Sequence, residues 1–347
     1  MWSTALLVLL ATDVAQAHVV AVAGATGRVG QLVVRELLSQ GHKVRALTRN
    51  EDKAKEALPA EVERCLIDFA SATHSDVAAA LGSDTDRFIW CASGFTDDGE
   101  SIDKLGMKLV TPAFERSADS SAPKILFLSS AGVTRPAWTD EKKERLVGAS
   151  DIPIIRLNPG GILGKKADAE QMLRDSGVGY CVVRPTGLKF EDWPQGRPIL
   201  SQGDVAVGRT NPTDLAQTLV TVLDEPAANG KTFEFFTLAG YPAPPSLSTS
   251  LEALRDDADG PLDEGAVDAA YAVLQQLLPG EQQDATKLEM GRTYEQVDQG
   301  VVTPRERGAA PTDREKALAS NALSGGSRGG SKRQWLRNFV GRALSSK

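Results

Sequence analysis

Residues 19–50, VVAVAGATGRVGQLVVRELLSQGHKVRALTRN, restrict the fold more than any other stretch of this 347-residue chain. Val19 to Ala23 is a short valine-rich run, the pattern of a strand buried on both faces. Gly24, Gly27 and Gly30 punctuate the turn that follows. Gln31 to Ser39 then sets Leu32, Val33, Leu37 and Leu38 at helical spacing, and Gly41 stops the helix. Lys43 to Thr48 reads as a second strand. Strand, glycine turn, helix and strand in this order make a βαβ unit, which requires a parallel sheet.

Each glycine has a physical reason in such a unit. Gly24 lets the chain leave the strand tightly, Gly27 lets a pyrophosphate approach the backbone, and Gly30 lets the helix pack close to the strand. The free N–H groups at the helix start, at the positive end of its dipole, attract phosphate. A dinucleotide is therefore the expected ligand, with Gly24, Thr26, Gly27, Arg28, Val29 and Gly30 around its phosphates. The second strand carries Arg45 and runs out at Arg49, where an NAD site would hold a carboxylate. An arginine there suits the 2′-phosphate of NADP, with Arg49 the first candidate and Arg45 the second. An arginine fork on a phosphate contributes roughly 1.5–3 kcal/mol, about ten- to a hundredfold in preference, so NADPH is expected over NADH.

The strand-helix alternation continues. Helices are expected over Glu51–Leu58, Ser75–Leu81 and Asp103–Ala118, with strands over Glu63–Asp68, Arg87–Ala92 and Lys124–Ser130. That order predicts a Rossmann-type, doubly wound parallel α/β sheet with right-handed crossovers. Ligands in such sheets bind beyond the carboxyl ends of the strands, where Asp68, Phe69, Ser93, Gly94, Ser129 and Ser130 stand.

The glycine turn, Asp68 after the third strand and the Ser129-Ser130-Ala131-Gly132 strand end resemble the extended, atypical short-chain dehydrogenase/reductases. The NmrA-like NAD(P)-binding group is the nearest in pattern. Lys166 to Pro185 is similar to that family's lysine-bearing helix, its glycine stop and a sixth strand ending in Arg-Pro. Val207 to Leu223 is similar to the stretch leading into the late helix, so the likeness spans about residues 19–240. The resemblance implies a lysine and a serine in the carbonyl-reducing members, with a tyrosine four residues before the lysine. There the lysine lowers the phenol pKa and the serine orients the substrate oxygen. Here Lys166 and Ser130 take those places, and Lys166 is also expected to meet the nicotinamide ribose. The tyrosine position is Ile162, or Gly161 if Lys165 sets the register, and neither can pass a proton. Two functions follow. One is an NADPH-dependent oxidoreductase acting on a small molecule with a nonstandard or substrate-supplied proton donor. The other is a non-catalytic dinucleotide-binding protein that senses redox state or helps assemble a complex with a protein partner.

A hydrophobic share of 41% supports a sizeable core, and the net charge of −7 argues against nucleic acid as the partner of the body. Residues 1–17, MWSTALLVLLATDVAQA, read as a targeting signal with an apolar core at Ala5–Ala11 and a small-x-small end at Ala15–Ala17. Cys65, Cys91 and Cys181 are odd in number and lie in or beside apolar runs, so they read as core residues in a reducing compartment. A plastid reached through the secretory route satisfies both observations; the cytoplasm is the alternative. His18, His42 and His74 show no metal or triad spacing and read as structural.

The segment 134–161 exceeds a minimal loop and is expected to shape a substrate pocket, with Trp138, a charged run at Asp140–Arg145 and Ile152–Leu157 as an added strand. Trp193 lies in a loop able to line the same pocket. Pro242, Pro244 and Pro245 mark a break, after which 241–302 reads as a helical extension containing an amphipathic helix over Gly265–Leu278. Residues 303–330 read as a disordered linker. The last segment, 331–347, has no acidic residue and sets Trp335, Leu336, Phe339, Val340 and Leu344 at helical spacing. It is the pattern of a basic amphipathic helix that contacts an anionic membrane, a partner's groove or the acidic body itself.

Overall fold

In the sheet, β1 (Val19–Ala23) alternates Val20 and Val22 toward one hydrophobic layer with Ala21 and Ala23 toward the other, as the two-residue strand period requires. From it the chain runs through α1 (Arg28–Ser39), β2 (Lys43–Thr48), α2 (Glu51–Ala57), β3 (Glu63–Leu66), α3 (His74–Leu81), β4 (Arg87–Trp90), α4 (Ile102–Val110) and β5 (Ile125–Leu128). A helical segment follows, α5 (Asp140–Arg145), α6 (Val147–Ser150), α7 (Pro153–Leu157) and α8 (Ile162–Asp175), before β6 (Tyr180–Pro185). The last elements are β7 (Gly187–Leu188), β8 (Gly196–Ser201), β9 (Arg209–Thr210), α9 (Pro212–Thr221), β10 (Lys231–Ala239), α10 (Ser248–Glu252) and α11 (Glu264–Leu277). These come from a computed structural model that describes residues 17–115, 121–190 and 193–277.

Eight strands form one sheet in the order β3-β2-β1-β4-β5-β6-β10-β8, parallel throughout except for β8, which runs antiparallel to β10. The doubly wound α/β sheet expected from sequence is present. On one face Val33, Val34 and Leu37 of α1 share a core with Leu215, Leu219 and Val220 of α9. On the other, α3, α4 and α8 cover Phe88, Trp90 and Phe127. Each such buried aliphatic or aromatic side chain stabilises the fold by roughly 1.5–3 kcal/mol. No helix among the described residues is long and apolar enough to cross a membrane.

Several elements differ from the sequence expectation. α4 stops at Val110, not Ala118, because Pro112 sits in the 3-10 turn Thr111–Ala113 and cannot donate the next helical hydrogen bond. Ile152–Leu157 forms α7 and not a strand: Pro153 stands at a helix start, and the Asn158 N–H closes the turn onto Ile154. α8 begins a turn earlier than Lys166. β8 and β10 have no counterpart in the reading, although KTFEFFTLA carries the aromatic content of a strand. α11 lies where the amphipathic pattern put it. Its Val267 and Leu274 pack with Trp138, Leu146, Val205 and Phe236, so the helix docks on the body. The expectations for residues 1–16, 303–330 and 331–347 lie outside the described residues.

Candidate functional site

Parallel pairing brings the carboxyl ends of β1 to β6 to one edge, and the glycine turn lies there. Gly24 has a φ of +74°, and a β-carbon on it would overlap the Cys91–Ala92 backbone that leaves β4. A β-carbon on Gly30 would collide with the Gly24 carbonyl, so only glycine lets α1 start this close to β1. Gly27 caps α1 without a side chain, and the first turn holds no acidic residue. The first-turn N–H groups of a helix have no acceptor within the helix and the dipole there favours an anion, so the cradle around Thr26, Arg28 and Val29 fits a pyrophosphate. The Val29 side chain itself is core, which leaves its backbone for a ligand. The Arg28 guanidinium lies 3.7 Å from the centre of the Phe190 ring.

The two candidate arginines, Arg45 on β2 and Arg49 just past its end, separate. Arg45 pairs with Ala21 and Glu63 in mid-sheet, and its side chain reaches Glu63 (2.8 Å), Asp84 (2.9 Å), Thr85 and the Leu81 carbonyl. Asp84 precedes β4, so Arg45 points to the amino edge and is spent on ion pairs, which corrects its candidacy for a 2′-phosphate. Arg49 is exposed past the end of β2. Asp68 is exposed beyond β3 and accepts the Ala70 N–H at 3.0 Å. Phe69 is buried edge-on against Trp90 at 5.0 Å, so its ring belongs to the core and only its backbone borders the site.

Lys166 is enclosed, not open at the edge. Its Nζ lies 2.9 Å from Oδ1 of Asp103, itself fully buried, and 5.5 Å from the centre of the Phe127 ring. Trp90 Nε1 donates to the same Oδ1 at 3.0 Å, and the Ser93 hydroxyl donates to Oδ2 at 3.4 Å. Burial pushes the Cys91 thiol, beside Lys166, up to about 12, so it stays protonated at neutral pH. Gly94 has a φ of +140° and opens the loop that returns at Ile102, whose N–H donates to the Gly94 carbonyl.

At the end of β5 the two serines diverge. Ser129 donates to Glu170 at 2.5 Å, and Glu170 is held by Arg184 (2.5 Å) and Arg174 (2.9 Å). Burial alone would raise the Glu170 carboxyl; the two guanidiniums and the serine outweigh it and hold it below the usual carboxylate range. Ser130 is half-buried and donates to the Ala131 carbonyl at 3.0 Å. Ile162 stands one turn before Lys166 on α8, where it offers no titratable atom.

Residues 24–226 match the family model described as NAD(P)H-binding. The chain belongs to the NAD(P)H-binding family. Among its relatives is an uncharacterised chloroplastic protein of Arabidopsis thaliana, 28% identical over 228 residues, 64% of this chain and 77% of the relative. The chloroplastic protein TIC 62 of Pisum sativum is 31% identical over 199 residues, 51% of this chain but 34% of the relative, so this chain spans about a third of it. The solved oxidoreductase ylbE of Lactococcus lactis superposes with a TM-score of 0.51 at 18% identity, over 68% of this chain and 96% of its own, a likeness of fold.

In this NAD(P)H-binding chain the sequence alone assigns no role to Asp103, Trp90 or Phe190. One signal was available: Lys166 and Glu170 share the face of α8 that carries Leu163, Ala169 and Leu173. Charged residues on an apolar helix face need buried partners. For Glu170 one partner, Arg174, is one turn away, but nothing local identifies the partner of Lys166, since Asp103 is 63 residues from it.

Proposed function

We propose that this protein binds NADPH across the carboxyl edge of β1, β2, β4 and β5 and works as a nucleotide-responsive redox protein, without the tyrosine–lysine proton transfer of carbonyl reductases. One observation carries the reading. The Lys166 ammonium is paired with Asp103 in an enclosed position, and the residue one turn ahead of it is Ile162, so no side chain there can pass a proton. Exposed Arg49 supports the choice of NADPH. The nearest carboxylate in sequence, Glu51, is paired with Lys55 at 2.7 Å and does not compete for the ribose. The chloroplastic relatives and three free thiols support a plastid as the compartment.

A second reading keeps hydride transfer. The Ser130 bond to its neighbour's carbonyl is local and a substrate oxygen can replace it, so a substrate that takes its proton from water could be reduced. Titration of NADPH and NADH, followed by NADPH oxidation against aldehydes, quinones and enones, separates the two. Tight NADPH binding without turnover supports the first reading; turnover lost in Lys166→Ala supports the second. No affinity for either nucleotide overturns both.

A further inference from the structure

The segment after β5, which carries Ser129 and Ser130 at the nucleotide-facing edge, is held from below by one carboxylate. Asp204 Oδ1 accepts the Gly132 N–H at 2.6 Å, and its Oδ2 accepts the Thr134 N–H (2.8 Å) and hydroxyl (2.7 Å). Arg135, fully buried, donates to the Asp204 carbonyl at 2.6 Å and ties the segment to Ala149 and Ala206. The chain reaches this position through Gly203 and Asp204, with φ of +102° and +56°. That left-handed backbone aims the Asp204 N–H at a second carboxyl, Oε1 of Glu234, at 2.9 Å.

Glu234 sits on β10, is 1% exposed, and pairs in register with Arg184 of β6. Its Oε2 is buried and, among the described residues, takes no hydrogen bond. A buried carboxylate oxygen without a donor is costly, and a second carboxylate alongside adds repulsion; a proton on that oxygen relieves both. The groups that face Glu234 are Asp204, which favours the proton, and Arg184 and Arg135, which oppose it.

We infer that Glu234 and Asp204 form a proton-dependent clamp on the segment after β5, so that nucleotide binding at that edge responds to proton concentration. The inference rests on the nucleotide reading above and adds regulation to the same site. Burial and the charge of Asp204 push the Glu234 carboxyl up to about 7. Below that pH Glu234 is neutral and Asp204 holds Gly132 and Thr134 unopposed. Above it a second negative charge faces Asp204 and the clamp loosens.

The experiment follows the Gly132 and Thr134 amides by hydrogen exchange from pH 6 to 8.5, corrected for intrinsic rates, and NADH affinity over the same range, in wild type and Glu234→Gln. NADH is the probe because the 2′-phosphate of NADPH has its own ionisation near pH 6. In wild type, protection and affinity should both fall about fivefold across the range, the lower end of usual coupling between sites. In Glu234→Gln, which keeps the Oε1 acceptor and carries no charge, both should stay flat. Wild-type protection that does not change overturns the clamp, as does a variant that keeps the wild-type trend. The wild-type profile decides alone if the variant does not fold. Protection that responds to pH in a protein with no affinity for either nucleotide would overturn the nucleotide reading and the binding link, while leaving the carboxyl pair in place.

Discussion

Lys166 and Asp103 form an enclosed ion pair, 2.9 Å between Nζ and Oδ1, that joins α8 to α4 beneath the carboxyl edge of the sheet. Trp90 takes part in the same pair, and Gly106 of α4 packs so close to the Trp90 ring that a β-carbon would collide with it. The lysine that sequence resemblance assigns to chemistry is thus part of the packing between two helices and β4. Its charge is neutralised before any ligand arrives.

Asp103→Ala should destabilise the protein by about 3–5 kcal/mol, because it leaves the Lys166 ammonium and the Trp90 N–H buried without an acceptor. Replacing both charges, as in Asp103→Leu with Lys166→Met, should recover most of that loss. Urea midpoints measure both. A cost below about 1 kcal/mol for Asp103→Ala would show that the pair is not buried as described.

Arg49→Ala should cut the preference for NADPH over NADH by about ten- to a hundredfold, while Arg45→Ala should leave the ratio unchanged and lower the melting temperature. The contrast follows from the ion pairs of Arg45 with Glu63 and Asp84. Calorimetric titration of both nucleotides into both variants checks it.

Stability should fall as the pH drops below about 6.5. The His18 N–H donates to His42 Nδ1 at 3.2 Å, the two rings stack 5.8 Å apart, and His18 Nε2 lies 2.7 Å from Asp224. Burial holds His42 below the ordinary histidine range, the nearby Asp224 charge raising it only in part and His18 lowering it further. The unfolded chain therefore takes up a proton that the folded chain resists. The stability is complete above the unfolded value and is lost as pH falls through it. The loss of stability between pH 7 and pH 5, read from urea unfolding, should be larger in wild type than in His42→Asn, which keeps an acceptor but does not titrate.

Gly30→Ala should lower stability by about 1–3 kcal/mol and weaken nucleotide binding with it, since the start of α1 must back away from the Gly24 carbonyl. Gly41→Ala serves as a control for stability alone: nothing lies near its missing β-carbon, although an alanine held at the φ of +84° is strained. Nucleotide affinity retained in Gly30→Ala would argue that the phosphates do not sit on this turn.

Arg45 and Arg49 show where sequence reasoning ran out. They lie four apart, Arg45 on β2 and Arg49 just past its end, at an even spacing that a strand puts on one face, so spacing alone does not choose between them. The choice was made by Glu63 on the neighbouring strand and Asp84 in the turn before β4, both of which reach Arg45. Ile152–Leu157 ran out for another reason: a short apolar run suits helix and strand equally, and the proline at its start favours the helix. Phe69 follows Asp68 at a strand end and read as a site residue, but the Trp90 ring across the sheet draws it into the core.

The linear order of residues was enough for the βαβ unit, the parallel sheet, the tight glycine turn between β1 and α1 and the lack of a phenol at position 162. All of these depend on neighbours within a few residues, where backbone geometry and side-chain period act directly. The partnerships of Asp103 with Lys166, of Asp204 with Glu234 and of Glu63 with Arg45 exist only once the strand order is set, because each joins residues that are distant along the chain. A buried charge takes whichever counter-charge the packing brings within reach, and that reach is a property of the folded sheet.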